Sequence, residues 1–244
     1  MAQLLAIIFR EVLIFKRKFV KQIFSFMVSP LLFLITFGWG FGNEMNVDGV
    51  PYINFILPGI IAMASMRQSF ALSSEINISR FYWKTFDEIQ SAPISNISYT
   101  AGEVISGMLR GCLAAVVVMI LALIFQIGIS INGLFVASLL LNTFIFSSMA
   151  VITSMVVKTH AEQGMLNNFL ITPMAFLCGT FFPIQHYPLW VGKLIFCLPL
   201  THVSATVRAA LLNQKFPYFS LLYMAVFGAV VFIVAVKVIR NAKN

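Results

Sequence analysis

Charge is what this sequence has least of. Only 10% of its 244 residues are charged and 60% are hydrophobic. A typical soluble domain has about 25% charged and about 45–50% apolar residues. So few charges cannot cover a water-facing surface, so the outside of the molecule must face lipid. Histidine is almost missing. His160, His186 and His202 lie far apart, and no His-Glu-x-x-His run occurs, which argues against a metal hydrolase or an intramembrane metalloprotease. Cysteine is equally sparse. Cys112, Cys178 and Cys197 sit in apolar stretches without paired spacing, so they read as packing thiols rather than a metal site or a disulfide framework. No Gly-x-x-x-x-Gly-Lys-[Ser/Thr] loop is present, and the only Gly-Lys pair, Gly192-Lys193, is followed by Leu194. A phosphate-cradling nucleotide site is therefore not expected on this chain. Internal repeats, low-complexity linkers and the paired broken helices of secondary transporters are also missing. The first twenty residues have no small-residue cleavage site after a short apolar core, so no cleavable signal peptide is expected.

What is there in quantity is long apolar runs. A bilayer core of about 30 Å needs about 20 apolar residues as helix. Six stretches qualify, over roughly 22–42, 53–75, 100–126, 133–157, 165–183 and 217–238. A membrane barrel would show alternating hydrophobicity, and the unbroken run from Cys112 to Phe125 excludes that. The fold expected is all-α, a six-span membrane protein. The net charge of +8 comes from basic residues at the ends of apolar runs. No aromatic-interleaved basic patch accompanies them, so nucleic acid is not an expected partner.

Those basic residues set the topology. Arg10, Lys16, Arg17, Lys18 and Lys21 precede span one. Arg80 and Lys84 follow span two, Lys158 follows span four, and Lys237, Arg240 and Lys243 close the chain. The opposite side has Lys193, Arg208 and Lys215, and its first loop carries Glu44 and Asp48. The excess of lysine and arginine predicts that both termini are cytoplasmic. Residues 2–20 read as an amphipathic helix at the membrane surface, with Leu4, Ile8, Val12, Phe15 and Phe19 on one face and Arg10, Arg17 and Lys21 opposite. The alternative is an early start to span one, but six charges between Arg10 and Lys21 are costly in hydrocarbon.

Two connections are unusual. The cytoplasmic stretch of about 80–92 is short, of mixed charge and rich in aromatics. It holds Tyr82, Trp83, Phe86, Asp87, Glu88 and Ile89, and Pro93 and Ser95 stop it before span three. Tyr82, Phe86 and Ile89 fall on one helical face. That face suits a membrane-interface anchor as well as a helix docked in a partner's groove, and periodicity does not choose between them. The outer connection of about 184–213 is too apolar for a solvated loop and is cut into pieces by Pro183, Pro188 and Pro199. It predicts half-helices that re-enter the membrane, because broken backbone at that depth must be buried in protein or line a cavity.

Polar side chains inside spans are costly, about 2.5–3.5 kcal/mol for a central charge on insertion scales. Arg67 and Gln68 fall in span two, and Glu103 and Arg110 in span three. Arg67 and Arg110 read either as structural partners of neighbouring groups or as part of a substrate path. Asn142, Thr143, Asn167, Asn168 and Thr172 suit helix–helix glue. Phe181 and Phe182, at the outer end of span five, gate an exit or simply pack. Arg208 either snorkels to headgroups or meets an acidic group of the substrate.

Several of these stretches together resemble one family. Phe176-Leu177-Cys178-Gly179-Thr180-Phe181-Phe182-Pro183, then Pro188 and Trp190, Leu198-Pro199-Leu200-Thr201-His202 and Val207-Arg208-Ala209-Ala210-Leu211-Leu212 resemble the closing signature of the type-2 ABC exporter permeases. That family includes drug, polysaccharide and nodulation-factor exporters. Phe55-Ile56-Leu57-Pro58-Gly59 resembles its opening of span two, and Asp87-Glu88 through Ala92-Pro93-Ile94-Ser95 the end of its coupling helix. Gly102-Glu103 and Arg110-Gly111 in span three are also similar to family members. One departure stands out: many members have Arg-Glu-x-Gly-Thr in the coupling region, where Arg80 here precedes Phe81-Tyr82-Trp83-Lys84-Thr85. The resemblance implies a multi-pass subunit of a bacterial inner membrane, paired with a second copy of itself in a bed of membrane lipid. It implies two separate ABC ATPase subunits docked on residues 80–92, with ATP and Mg on those partners and no cofactor on this chain. The activity implied is export of an amphipathic, lipid-linked or hydrophobic substrate. A channel or a secondary transporter is the alternative class.

Overall fold

The computed structural model describes residues 2–17, 19–40, 46–47 and 49–242, apart from the side chains of Ala2, Gly38, Trp39, Asp87 and Gln90. The readings of Lys18, Glu44, Asp48 and Lys243, residues 41–42 of the first predicted span, and the Asp87 side chain lie outside the described residues.

Helices dominate. α1 is Ala2–Arg17 and α2 Phe19–Trp39, followed by a small antiparallel hairpin of β1 (Asn46–Val47) and β2 (Val50–Pro51). Then come α3 (Tyr52–Phe81), α4 (Thr85–Ser91), α5 (Asn96–Ile124) and α6 (Gly133–Val156). α7 (His160–Leu166), a π-turn (Asn167–Ile171) and α8 (Thr172–Leu177) form one continuous helical run. A 3₁₀ turn (Ile184–His186), α9 (Leu189–Phe196), α10 (Pro199–Leu211) and α11 (Tyr218–Ala242) complete the chain. Starts are written locally. Ser95, Asn132 and Thr159 each cap a helix by accepting a hydrogen bond from the backbone N–H three residues on, filling a donor that the first turn leaves free.

Among the described residues, α2, α3, α5, α6 and α11 are long and apolar enough to cross a membrane. Five of the six predicted spans are thus single helices, with edges shifted by a few residues. The expectation for 165–183 needs correction. Helix there begins at His160 and ends at Leu177, and it is not uniformly α. Pro173 has no N–H to give and its ring crowds the carbonyl four residues back. The ladder widens just before it, so that the Thr172 N–H reaches the Asn167 carbonyl, five residues back. The run ends where Gly179 takes φ 72°, a backbone state that glycine adopts without strain. This composite run still traverses the bundle. Gln163 donates to Ser73 at 3.1 Å near one end of α3, and Tyr52 at the other end donates to the Phe181 carbonyl at 3.0 Å.

α3 is the centre of the packing, with α5 and α6 along it and α10 across its Tyr52 end. Small residues permit the close approach. A Cβ on Gly111 would sit 2.6 Å from Thr143 and 2.8 Å from the Ser65 carbonyl, and one on Gly59 would meet the Thr180 backbone at 2.7 Å. Asn142 of α6 donates to the Ala62 carbonyl and to Ser65 of α3 at 3.0 and 2.8 Å, acting as the expected glue. Thr143 bonds within its own helix, to the Leu139 and Leu140 carbonyls, and meets the Cys112 side chain of α5. The outward faces are apolar: Phe24, Val28 and Leu32 on α2, Val116, Ile120 and Leu123 on α5, and Leu222, Val226 and Val230 on α11 are all exposed.

α1 is a helix of its own and lies against α5. The face it turns to the bundle is mixed. Ile7 and Glu11 are buried, while Leu5, Phe9, Val12 and Leu13 point away from the bundle. Ile7 fits over Gly102 of α5, and Gln3 reaches the Pro93 carbonyl just before α5 begins. An acid can face inward there because cations wait for it.

Candidate functional site

The first element of interest is the turn between α3 and α5. Lys84 adopts a left-handed conformation, φ 54°, so α4 starts only at Thr85 and on a new axis. This corrects the shared face of Tyr82, Phe86 and Ile89. The kink at Lys84 separates Tyr82 from α4. Tyr82 and Trp83 are 82% and 61% exposed, whereas Phe86 is buried. Phe86 packs edge-on against Tyr99 of α5, with ring centres 5.5 Å apart, and the Arg80 guanidinium lies 5.4 Å from its ring centre. Ile89 packs against the same core. Arg80 also donates to the Met155 carbonyl at 2.6 Å, tying the end of α3 to the end of α6. α4 is therefore a short helix pinned to the bundle by Phe86 and Ile89. It presents Glu88 outward, and the turn before it exposes Tyr82 and Trp83.

Directly beneath lies a cluster of charges that joins three helices. Arg10 bonds Glu11 at 2.6 Å and Glu103 at 3.2 Å. Arg110 bonds Glu11 at 3.3 Å and Glu75 at 2.8 Å. Glu11, Glu103 and Arg110 are buried. The sequence singled out Glu103 and Arg110 but not Glu11 or Glu75. Arg110 finds both of its acids on other helices, whereas Arg10 pairs with Glu11 on its own helix and with Glu103 of α5. A cavity of about 230 Å³ lined by Arg10, Glu75, Glu103, Trp83 and Thr85 connects the cluster to the turn before α4. A buried pair is weak evidence for stability, but removing one partner is costly.

At the Tyr52 end the outer connection closes the bundle. α10 is almost wholly buried, whereas α9 exposes Leu189, Trp190 and Leu194, and the two meet at 87°. Arg208 of α10 donates to the Phe55 carbonyl at 3.1 Å and the Gly179 carbonyl at 2.6 Å, with its guanidinium 3.9 Å from the Phe55 ring centre. Its charge is thus held by α3 and by the turn after α8. Phe181 is buried in an aromatic cluster with Phe33, Phe37 and Phe176, at centroid distances of 5.1, 5.2 and 5.5 Å. Phe182 beside it is exposed. His202 bonds Ser220 and the Phe196 carbonyl, joining α10 to α11 and α9.

Arg67 stands apart from all of these. It lines a cleft of about 190 Å³ between α2 and α3 together with Gln68, Ser25, Ser29 and Pro30. Its Nε is buried without a hydrogen-bond partner among the described residues. Those residues also include no group of three or more histidine, cysteine or acidic side chains able to hold a metal.

Comparison with known proteins places this arrangement. Residues 2–212 match the model of the ABC-2 type transporter family. The inner membrane transport permease YadH of Escherichia coli is 26% identical over 75% of this chain and 73% of its own length. Nodulation protein J of Sinorhizobium fredii is 25% identical over 84% of this chain and 79% of its own. The daunorubicin resistance ABC transporter permease protein DrrB1 of Streptomyces coeruleorubidus is 24% identical over 82% of this chain and 72% of its own. A family match over most of the chain, with relatives named as transport permeases and a bundle of apolar spanning helices, makes this a membrane-spanning permease of an ABC transporter. The chain belongs to the ABC-2 type transporter family.

Proposed function

We propose that this chain is the membrane subunit of an ATP-driven exporter, working as two copies with two separate ATPase chains. It moves an amphipathic, lipid-linked or hydrophobic molecule outward across a bacterial inner membrane. The relatives named as a drug-resistance permease and a nodulation protein support that substrate range. ATP and its Mg²⁺ belong to the partner chain, which does the hydrolysis.

One observation carries the reading. α4 is fixed to the bundle by a buried Phe86 and a partly buried Ile89, yet the turn before it displays two large aromatics, Tyr82 and Trp83, that are mostly exposed among the described residues. Aromatic anchors of this kind dominate protein interfaces. α3 and α5, at 30 and 29 residues, are each about 45 Å long at ~1.5 Å per residue and outrun a hydrocarbon core of about 30 Å. Their polar ends, with Glu75, Asn77, Arg80 and Glu103, are the ends that carry α4. They lift it clear of the membrane on the cytoplasmic side, where an ATPase meets it. Movement of the ATPase subunits then reaches α3 and α5 directly.

Copurification tests this. Expressed with candidate ABC ATPases of the same cell, the tagged permease is expected to retain one of them in a 2:2 complex. The Tyr82→Ala/Trp83→Ala variant should insert normally and lose the ATPase. Full recovery of the complex by the double variant would make the turn a membrane anchor and remove the coupling role.

A further inference from the structure

The strongest unassigned feature is the treatment of Arg67. Of the arginines set between helices, Arg110 has two carboxylates and Arg208 has two backbone carbonyls. Among the described residues Arg67 makes no hydrogen bond or ion pair, and its Nε is sealed from solvent. It sits near the middle of α3, with about 20 Å of helix on either side at ~1.5 Å per residue. A guanidinium at that depth is expensive and in general marks a pathway or a partner.

The surroundings fit an anion. The cleft joins Arg67 and Gln68 of α3 to Ser25 and Ser29 of α2. Two hydroxyls and an amide supply neutral donors around a fork of five N–H groups. That fork matches the oxygens of a carboxylate or phosphate in a bidentate way. Pro30, inside α2, breaks the helix ladder beside Ser29, where the cleft opens. Its volume of about 190 Å³ is below the roughly 300–1,000 Å³ of pockets that engulf a whole drug-sized ligand. The cleft takes a head group, not a whole molecule. Because α3 outruns a core of about 30 Å at its Glu75 end, Arg67 lies in the half of the core nearer the cytoplasm. An anionic oxygen group leaving the cytoplasmic side would meet Arg67 on its way across.

We propose that the α2–α3 cleft at Arg67 receives the anionic oxygen group, phosphate or carboxylate, of an amphipathic cargo molecule in transit. This rests on the exporter reading and narrows its substrate class. The lone guanidinium repels cationic amphiphiles, so discrimination comes from like charge as well as from attraction.

The test uses the permease with its ATPase in nanodiscs of neutral phosphatidylcholine, titrated with radiolabelled dodecyl phosphate. One saturable site per permease chain is expected. Arg67→Gln should weaken it by about tenfold or more, the loss of one charged hydrogen bond of about 1.5–3 kcal/mol. Gln68→Leu, which keeps the charge, should weaken it less. Dodecyltrimethylammonium and dodecyl maltoside should not compete. Inorganic phosphate should compete only at far higher concentration; competition equal to that of dodecyl phosphate would mean a soluble anion and overturn the amphipathic cargo. Unchanged binding in Arg67→Gln, or equal competition by the ammonium amphiphile, overturns the site. If Arg67→Gln does not survive purification, Arg67→Lys keeps the charge without the fork, and wild-type affinity in it overturns the site as well. ATPase recovery is read on the same samples. An intact complex without a dodecyl phosphate site sinks this inference alone, whereas a wild-type permease that brings down no ATPase sinks the exporter reading.

Discussion

Arg110 and Arg208 lie in helices that would otherwise pass as apolar, and each has a different answer to its charge. Arg110 is held by Glu11 and Glu75 from two other helices. Arg110→Met should therefore leave the buried Glu11 with Arg10 alone and Glu75 without a partner among the described residues. Breaking one side of such a pair costs about 3–5 kcal/mol, read as a lower melting temperature of the detergent-solubilised permease. Arg110→Met with Glu11→Leu should recover most of that loss. A single variant that melts like wild type would show the pair to be idle. Arg208 is held by carbonyls, which a lysine satisfies only in part. Arg208→Lys should fall between wild type and Arg208→Ala in thermal stability, with each lost charged hydrogen bond worth about 1.5–3 kcal/mol. Equal stability of all three variants would return Arg208 to the membrane surface.

α4 shows how a local backbone choice decides what an element does. Lys84, left-handed, parts the outward Tyr82 and Trp83 from the inward Phe86. The two sides predict different phenotypes. Phe86→Ala empties a packed site, a change that typically costs about 3–5 kcal/mol, and should lower the melting temperature of the permease even without its ATPase. Tyr82→Ala/Trp83→Ala should leave that temperature within a degree or so, since exposed changes usually stay within about 0.5 kcal/mol. Matching losses of stability in both variants would mean that the turn is folded inward as a unit. The acid cluster beneath α4 belongs to this element too. Its cavity reaches Trp83, so the turn borders the paired charges of α1, α3 and α5.

Across the whole molecule, topology is the quantity to check. Both termini, the α4 turn and the α6–α7 connection are expected on the cytoplasmic side, following the lysine and arginine excess. In a background without Cys112, Cys178 and Cys197, Asn46→Cys and His186→Cys should react with a membrane-impermeant maleimide in intact cells. Lys84→Cys and Asn241→Cys should react only after permeabilisation. All four positions are exposed in the single chain, so in the permease expressed without its ATPase they should be open to the reagent on their own side. Strong labelling of Lys84→Cys from outside would invert the model and with it the ATPase site.

Composition and pattern were enough for the class of molecule. Ten per cent charge and runs of twenty apolar residues leave no water-soluble solution, and five of the six spans are single helices close to where the runs lie. The order of the motifs from Phe176 to Leu212 was enough for the family. Contacts between distant residues were not legible. Glu11 lies ninety-nine residues from Arg110, and nothing in local spacing announces that pairing, because helices meet through tertiary packing and not through periodicity. The same holds for Arg208, whose partners Phe55 and Gly179 come from two other elements. The π-turn before Pro173 and the left-handed Lys84 escaped a pattern read with a fixed 3.6-residue period, since each changes the phase of the helix at one residue. Span positions follow from the chain's chemistry in lipid. Which charges are answered, and that Arg67 is not answered within the described chain, depended on how the helices came together.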